Sequence, residues 1–166
     1  LDRFQAVDLR VTRKPDLTPV SDADLAVERA LRDRLAQARP DDSVLGEEFG
    51  DSRPDARRRW VIDPIDGTKN FVRGVPIWAT LISLVDDGEF VVGVASAPAL
   101  ARRWWGAQHG GAFGSFRGSA PRPLQVSRVR ELAVASLGYS DLPEWDAAAR
   151  GAGLRTPLPL CWRSRG

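Results

Sequence analysis

Cysteine, histidine and methionine are nearly missing from this chain: Cys161 and His109 stand alone, and there is no methionine. A single cysteine excludes an intrachain disulfide framework, and one cysteine with one histidine leaves no zinc-ligand pattern. The cytoplasm is therefore the expected compartment. No apolar run approaches the roughly 20 residues of a membrane-spanning helix. The opening Leu1-Asp-Arg-Phe4 has no signal-peptide layout either, and no membrane partner is expected. With no methionine and a leading leucine, residue 1 is not expected to be the start of the natural gene product. Lysine is scarce too: Lys14 and Lys69 stand beside 22 arginines. Those arginines are spread along the chain and the net charge is only +2, which argues against a dedicated nucleic-acid binder. What remains, 166 residues that are 43% apolar and 28% charged, suits one globular domain with a respectable core.

The chain is organised around Trp60-Val-Ile-Asp-Pro-Ile-Asp-Gly-Thr-Lys-Asn-Phe71. Trp60, Val61 and Ile62 have the β-branched and aromatic character of a buried strand. Pro64 keeps Asp63 out of helical geometry, so the strand is expected to end there, with Asp66 as the N-cap of a helical turn running through Asn70 and Phe71. Asp63 and Asp66, three apart across a proline-stiffened bend, can then aim at one small volume. The first N–H groups of the new turn point into the same space. Two carboxylates beside such a helix end suit Mg²⁺ together with a phosphate, oxygens for the cation and amides for the anion. A bare Asp-x-x-Asp-Gly is equally what an ordinary capped strand-to-helix corner looks like.

Leu1 to Val11 reads as the tail of a helix running into a strand, and Lys14 to Pro19 as a proline-punctuated loop. Ser21 or Asp22 caps a helix that Pro40 ends; Leu25, Ala26, Leu31 and Leu35 fall on one side, Glu28, Arg29, Arg32 and Asp33 on the other. Ser43-Val-Leu-Gly-Glu-Glu-Phe49 is a short strand leaving into a loop. In extended chain the adjacent Glu47 and Glu48 face opposite ways, so only one can serve a given site. Ile77 to Val85 and Phe90 to Ala95 read as antiparallel strands joined by the turn Asp86-Asp-Gly-Glu89. Arg102 to Ala107 is a further strand, His109 to Phe113 a turn, Arg117 to Pro123 a loop and Leu124 to Ser127 a short edge strand. Glu131 to Leu137 reads as a strand, Pro143 to Ala152 as a helix and Leu158 to Trp162 as one more strand.

The unbroken string from Trp60 to Thr68, a tryptophan and two apolar residues before Asp-Pro-Ile-Asp-Gly-Thr, resembles the signature of the inositol monophosphatase superfamily. Lys69 to Thr80 and Ala97 to Trp105 look most like its actinobacterial histidinol-phosphate phosphatases, with inositol monophosphatase as the runner-up. The likeness is strong from about Lys14 to Phe113. It implies an α+β fold, a layered α/β sandwich of the inositol monophosphatase/fructose-bisphosphatase type, present mainly as its N-terminal half: a helix packed on a largely antiparallel sheet. Residues 1–128 would be the metal- and phosphate-binding half, and 129–166 the start of an incomplete C-terminal α/β half.

The resemblance also implies two or more Mg²⁺ ions, a small phosphorylated alcohol as substrate and a homodimer in the full-length form. Glu47, selected over Glu48 by the family's Gly-Glu-Glu motif, would hold the first ion with Asp63 and the main-chain carbonyl of Ile65. Asp63 and Asp66 would hold the second. Glu47 and Thr68 would orient the attacking water, so Glu47, Asp63 and Thr68 form the catalytic set, while the Gly67 and Thr68 N–H groups seat the phosphate. Asp22, ahead of Asp24, matches a family aspartate near the metals; read alone, it is a helix cap. Trp78 lines the pocket or belongs to the core, and Trp104 and Trp105 are packing residues. The family's third metal-binding aspartate sits in a Trp-Asp-x-Ala motif. Trp145-Asp146-Ala-Ala-Ala149 matches in letters but follows Asp66 by only 80 residues, so it is not taken as that motif and the chain is expected to be the front portion of a longer enzyme. The rival from another class is a non-catalytic remnant that binds metal or phosphate without turnover.

Overall fold

The computed structural model describes residues 1–139, 146 and 151–165. Leu1–Leu124 and Gln125–Gly166 are two compact units. The first runs β1 (Val11–Arg13), β2 (Pro19–Ser21), α1 (Asp22–Ala38), β3 (Ser43–Gly46), β4 (Gly50–Asp51), β5 (Arg58–Asp66), α2 (Thr68–Val72), β6 (Ala79–Asp86), β7 (Glu89–Ala97), β8 (Arg102–Ala107), β9 (Gly111–Phe116) and β10 (Arg122–Leu124). β1 and β2 pair as a separate hairpin; the rest form one eight-stranded sheet in the order β10-β9-β8-β7-β6-β5-β3-β4. Every pairing in that sheet is antiparallel except β3 with β5. This is the expected α+β arrangement, a helix set against a largely antiparallel sheet. In the second unit β11 (Ser136–Gly138) pairs in parallel with β12 (Arg163–Arg165), and Gly151–Arg155 is helical.

Local chemistry accounts for the main elements. Ser21, extended at φ −109°, is the N-cap of α1, and its N–H and hydroxyl both donate to Asp24 Oδ2 in a capping box. Asp87 and Gly88, at φ 51° and 84°, make the two-residue mirror turn that suits the twist of β6 and β7. The aromatic core lies behind α2: Ala23, Ile65, Phe71 and Trp78 cluster there, with the Trp78 ring edge-on to Phe71 at 4.9 Å and tilted against Phe4 at 5.5 Å. Trp78 therefore belongs to the core. Trp105 stacks on Phe113 across β8 and β9 at 6.2 Å. On the other face of the sheet Val61, Asp63, Leu81, Ala95 and Trp104 line an open groove of about 600 Å³.

Several boundaries differ from expectation. Glu28, expected on the outer side of α1, is fully buried because its carboxylate accepts the backbone N–H groups of Glu48 and Phe49 at 2.8 and 3.1 Å and pairs with Arg32 at 2.9 Å. Gly46 makes this fit: a Cβ there would lie 1.9 Å from the Glu28 carboxylate. The His109 to Phe113 turn is shorter than expected, because His109 takes φ 60° and reverses the chain early, freeing Gly111–Phe116 to pair with β8. β10 begins two residues early, in the expected Arg117 to Pro123 loop, and ends at Leu124, the first residue of the expected edge strand, which pairs with Ala112. Leu1 to Val11 makes turns and then β1, not a helix. Within Glu131 to Leu137 a 3₁₀ turn precedes β11, and Leu158–Leu160 is 3₁₀ with the strand following at β12. Most of the expected Pro143 to Ala152 helix, and of Trp145-Asp146-Ala-Ala-Ala149, lies outside the described residues.

Candidate functional site

The strand that delivers the two aspartates does not stop at Pro64. β5 continues to Asp66 through a bulge: Asp63 pairs with Leu81 and Asp66 with Ala79, so Pro64 and Ile65 oppose the single residue Thr80. A bulge tolerates a residue without an N–H, and the Thr80 hydroxyl satisfies the Pro64 carbonyl at 2.8 Å. Asp66 is consequently the last strand residue and not the N-cap. That position falls to Gly67, in the left-handed region at φ 89°. An added Cβ at Gly67 would also meet the Ile77 carbonyl at 3.1 Å, so glycine is needed twice over. Asn70 Nδ2 donates to that same carbonyl at 2.8 Å and pins α2 to the start of the next strand.

Asp63 is the electrostatic centre of the bend. Burial pushes its carboxyl up, the negative charges of Glu47 and Asp66 push further, and a hydrogen bond with Glu47 favours the protonated form, bringing its pKa to about 7. Its Oδ1 atom is buried and has no hydrogen-bond partner among the described residues. Glu47, Asp63 and Asp66, drawn from the β3–β4 turn and the two sides of the bulge, are thus neighbours. Among the described residues no three His, Cys, Asp or Glu side chains close into a metal cage. Mg²⁺ does not require one, since it usually takes one or two carboxylates and fills its octahedron with waters and substrate phosphate. An orphaned carboxylate oxygen among like charges is what a divalent cation would satisfy, and the residues fit such an ion.

Thr68 opens α2 with its hydroxyl 3.0 Å from the Ile65 carbonyl and 3.3 Å from Asp24 Oδ1. Ile65, proposed as a main-chain ligand, is thus in contact with the threonine. Asp24 is 1% exposed, fixed by the Ser21 capping box, and so holds Thr68 from behind. Asp22, preferred over Asp24 from the sequence, instead pairs with Arg3 at 2.8 Å. Glu47 and Glu48 do not face opposite ways, because they lie in a turn rather than in extended chain. Both reach Lys14 Nζ, at 2.7 and 2.8 Å. Burial works against the Lys14 charge, but the hydrogen bonds to Glu47 and Glu48 outweigh it and raise the ammonium pKa. Burial likewise raises Glu48, with Lys14 opposing.

Of the two further contributors, Asp24 was ranked behind Asp22 in the sequence and Lys14 was missed. Asp24 carried a signal, since it sits three residues after Ser21 at the capping-box position. Lys14 carried a fainter one as one of only two lysines in an arginine-rich chain.

Residues 3–149 match the inositol monophosphatase family. The histidinol-phosphatase of Mycobacterium tuberculosis is 60% identical over 143 residues, covering 86% of this chain and 55% of that protein. The histidinol-phosphatase of Streptomyces coelicolor is 52% identical over 169 residues, covering 99% of this chain and 63% of that protein. Among solved structures, the extragenic suppressor protein suhB of Bartonella henselae superposes with a TM-score of 0.82 at 29% identity, covering 99% of this chain and 62% of that one. The chain therefore spans between 55% and 63% of the length of these two curated relatives.

Proposed function

The chain belongs to the inositol monophosphatase family, and from that premise we propose that it is the front part of a Mg²⁺-dependent phosphatase acting on histidinol phosphate. The observation that carries this reading is the state of Asp63, a buried carboxyl with an orphaned oxygen, crowded by Glu47 and Asp66. Glu47, Asp63 and the Ile65 carbonyl would hold one ion, and Asp63 and Asp66 a second. When bound, the ions supply an activated water and relief of negative charge on the phosphoryl and leaving oxygens. The names of the two relatives support histidinol phosphate as the ester, with inositol phosphate as the alternative.

The chain's own residues do the positioning. The Ile65 carbonyl and Asp24, locked by Ser21, are the two acceptors in reach of the single Thr68 hydroxyl proton, which leaves the lone pairs of that oxygen to accept from a water. Glu47, beside Asp63, would orient the same water. Gly67, lacking a side chain at the tightest point of the turn, lets a phosphate oxygen approach the Gly67 and Thr68 amides. The groove beside Asp63 offers the alcohol part a half-buried indole, Trp104, for packing. In this reading residues 1–128 are the metal- and phosphate-binding half and 129–166 the beginning of a second half. The full-length form is a cytoplasmic homodimer.

Phosphate release tests the proposal. A version extended to the relatives' length, incubated with Mg²⁺, should release phosphate from histidinol phosphate faster than from inositol 1-phosphate. Faster release from the inositol ester would shift the substrate assignment, and none from either would favour the non-catalytic remnant.

A further inference from the structure

The acidic bend carries its own cation. Lys14 Nζ lies 2.7 Å from Glu47 and 2.8 Å from Glu48, on a side chain only 20% exposed. The two acids differ: Glu48 is 7% exposed, Glu47 45%. Lys14 also has a rigid base. Its N–H donates to the Thr18 carbonyl at 2.9 Å, its carbonyl accepts from Leu17 N–H at 2.9 Å, and Asp16 ties down Thr18 through both N–H and hydroxyl. Only the four-carbon stem is left to move. We propose that Lys14 is a built-in counter-cation that a divalent ion must displace from Glu47 in order to bind, while Glu48 keeps the displaced ammonium at the rim.

This role for Lys14 rests on the metal-site reading above and follows from its contacts. One Glu47 oxygen cannot accept a close ammonium and coordinate a hard cation at full strength. An ammonium left near the ion also repels it. Both effects lower divalent affinity, and both disappear when the charge is removed. The buried Glu48 exchanges its partner less readily than Glu47, because a carboxylate stripped of its cation there is poorly solvated. Exchange at Glu47 with retention at Glu48 confines the movement to one side chain.

Binding of Mn²⁺, followed by the loss of its free-ion electron paramagnetic resonance signal, tests this without turnover. The 166-residue chain is compared with Lys14→Gln, Lys14→Arg and Asp63→Asn, with circular dichroism confirming that each is folded. Lys14→Gln should bind Mn²⁺ at least about fivefold more tightly, Lys14→Arg should stay near the parent because the counter-cation is kept, and Asp63→Asn should lose the site. Unchanged or weaker affinity in Lys14→Gln, with the parent binding and Asp63→Asn not, would overturn the exchange and leave the metal site standing. No binding by parent and Lys14→Gln alike would overturn both.

Discussion

Replacing Asp63 with asparagine should make the metal-free protein more stable at pH 8 while destroying turnover in the full-length enzyme. In the fold the Asp63 carboxyl is raised from 3.8 to about 7, first by burial and then by Glu47 and Asp66. A group with a raised pKa binds its proton more tightly in the native state. Its stabilising contribution is complete below about pH 4 and is lost as pH climbs through about 7. At about 1.4 kcal/mol per pH unit the full span is about 4 kcal/mol. Solvent screening of a half-buried carboxyl reduces this to about 2 kcal/mol between pH 5 and pH 8. Urea melts of chelator-treated parent and Asp63→Asn at those two values measure the difference. The parent should lose about 2 kcal/mol more than the variant on going to pH 8. Saturating Mg²⁺ should restore the parent at pH 8, because an ion that binds only the folded form and favours the carboxylate adds its binding free energy. Glu48 titrates in the same direction, but it is present in both proteins and cancels. Identical pH dependence in parent and variant would show that Asp63 is not the strained group, and the case for a cation between these oxygens would go with it.

Gly46→Ala places a Cβ 1.9 Å from the buried Glu28 carboxylate and should cost about 2–4 kcal/mol, read as a lower urea midpoint at constant slope. Trp78→Ala empties the centre of the Phe4, Phe71 and Trp78 cluster and should cost about 3–5 kcal/mol; a loss under 1 kcal/mol would mean that the indole is not core. In the full-length enzyme Thr68→Val should lower kcat by about 10²-fold with little effect on KM, and Thr68→Ser should restore most of it. A valine variant that turns over like the parent would remove the hydroxyl from the reaction.

The sheet was legible because its signals are local. Alternating apolar residues and the Asp-Asp-Gly turn fix β6 and β7 wherever the rest of the chain goes, and Arg102–Ala107 is a strand on composition alone. What sequence periodicity could not reveal is which polar residue the tertiary fold would take inside. Glu28 lies on the charged side of α1 by helical spacing, yet the β3–β4 turn offers it two backbone N–H groups, and Gly46 clears the space. Propensity assigns Pro64 the end of a strand. The Thr80 hydroxyl and a bulge let the strand run two residues further, because the ladder, not the residue, decides where pairing stops.

The candidate site divides along the same line. Four of its residues, Asp63, Asp66, Gly67 and Thr68, are named by one twelve-residue string and held together by chain connectivity. Further control arrives from elsewhere in the chain: Asp24 from α1 to Thr68, Glu47 from the β3–β4 turn to Asp63, and Lys14 from the β1–β2 loop to Glu47. Each of those contacts adds to what burial and the string itself already set. Asp24 sets the direction of a hydroxyl, Glu47 the proton affinity of a carboxyl and Lys14 the charge that an incoming cation meets. A variant that keeps the Trp60 to Thr68 string intact but removes these three should therefore retain the corner's shape and lose its tuning, which makes the supporting residues the sharper place to look for differences among proteins that share the signature.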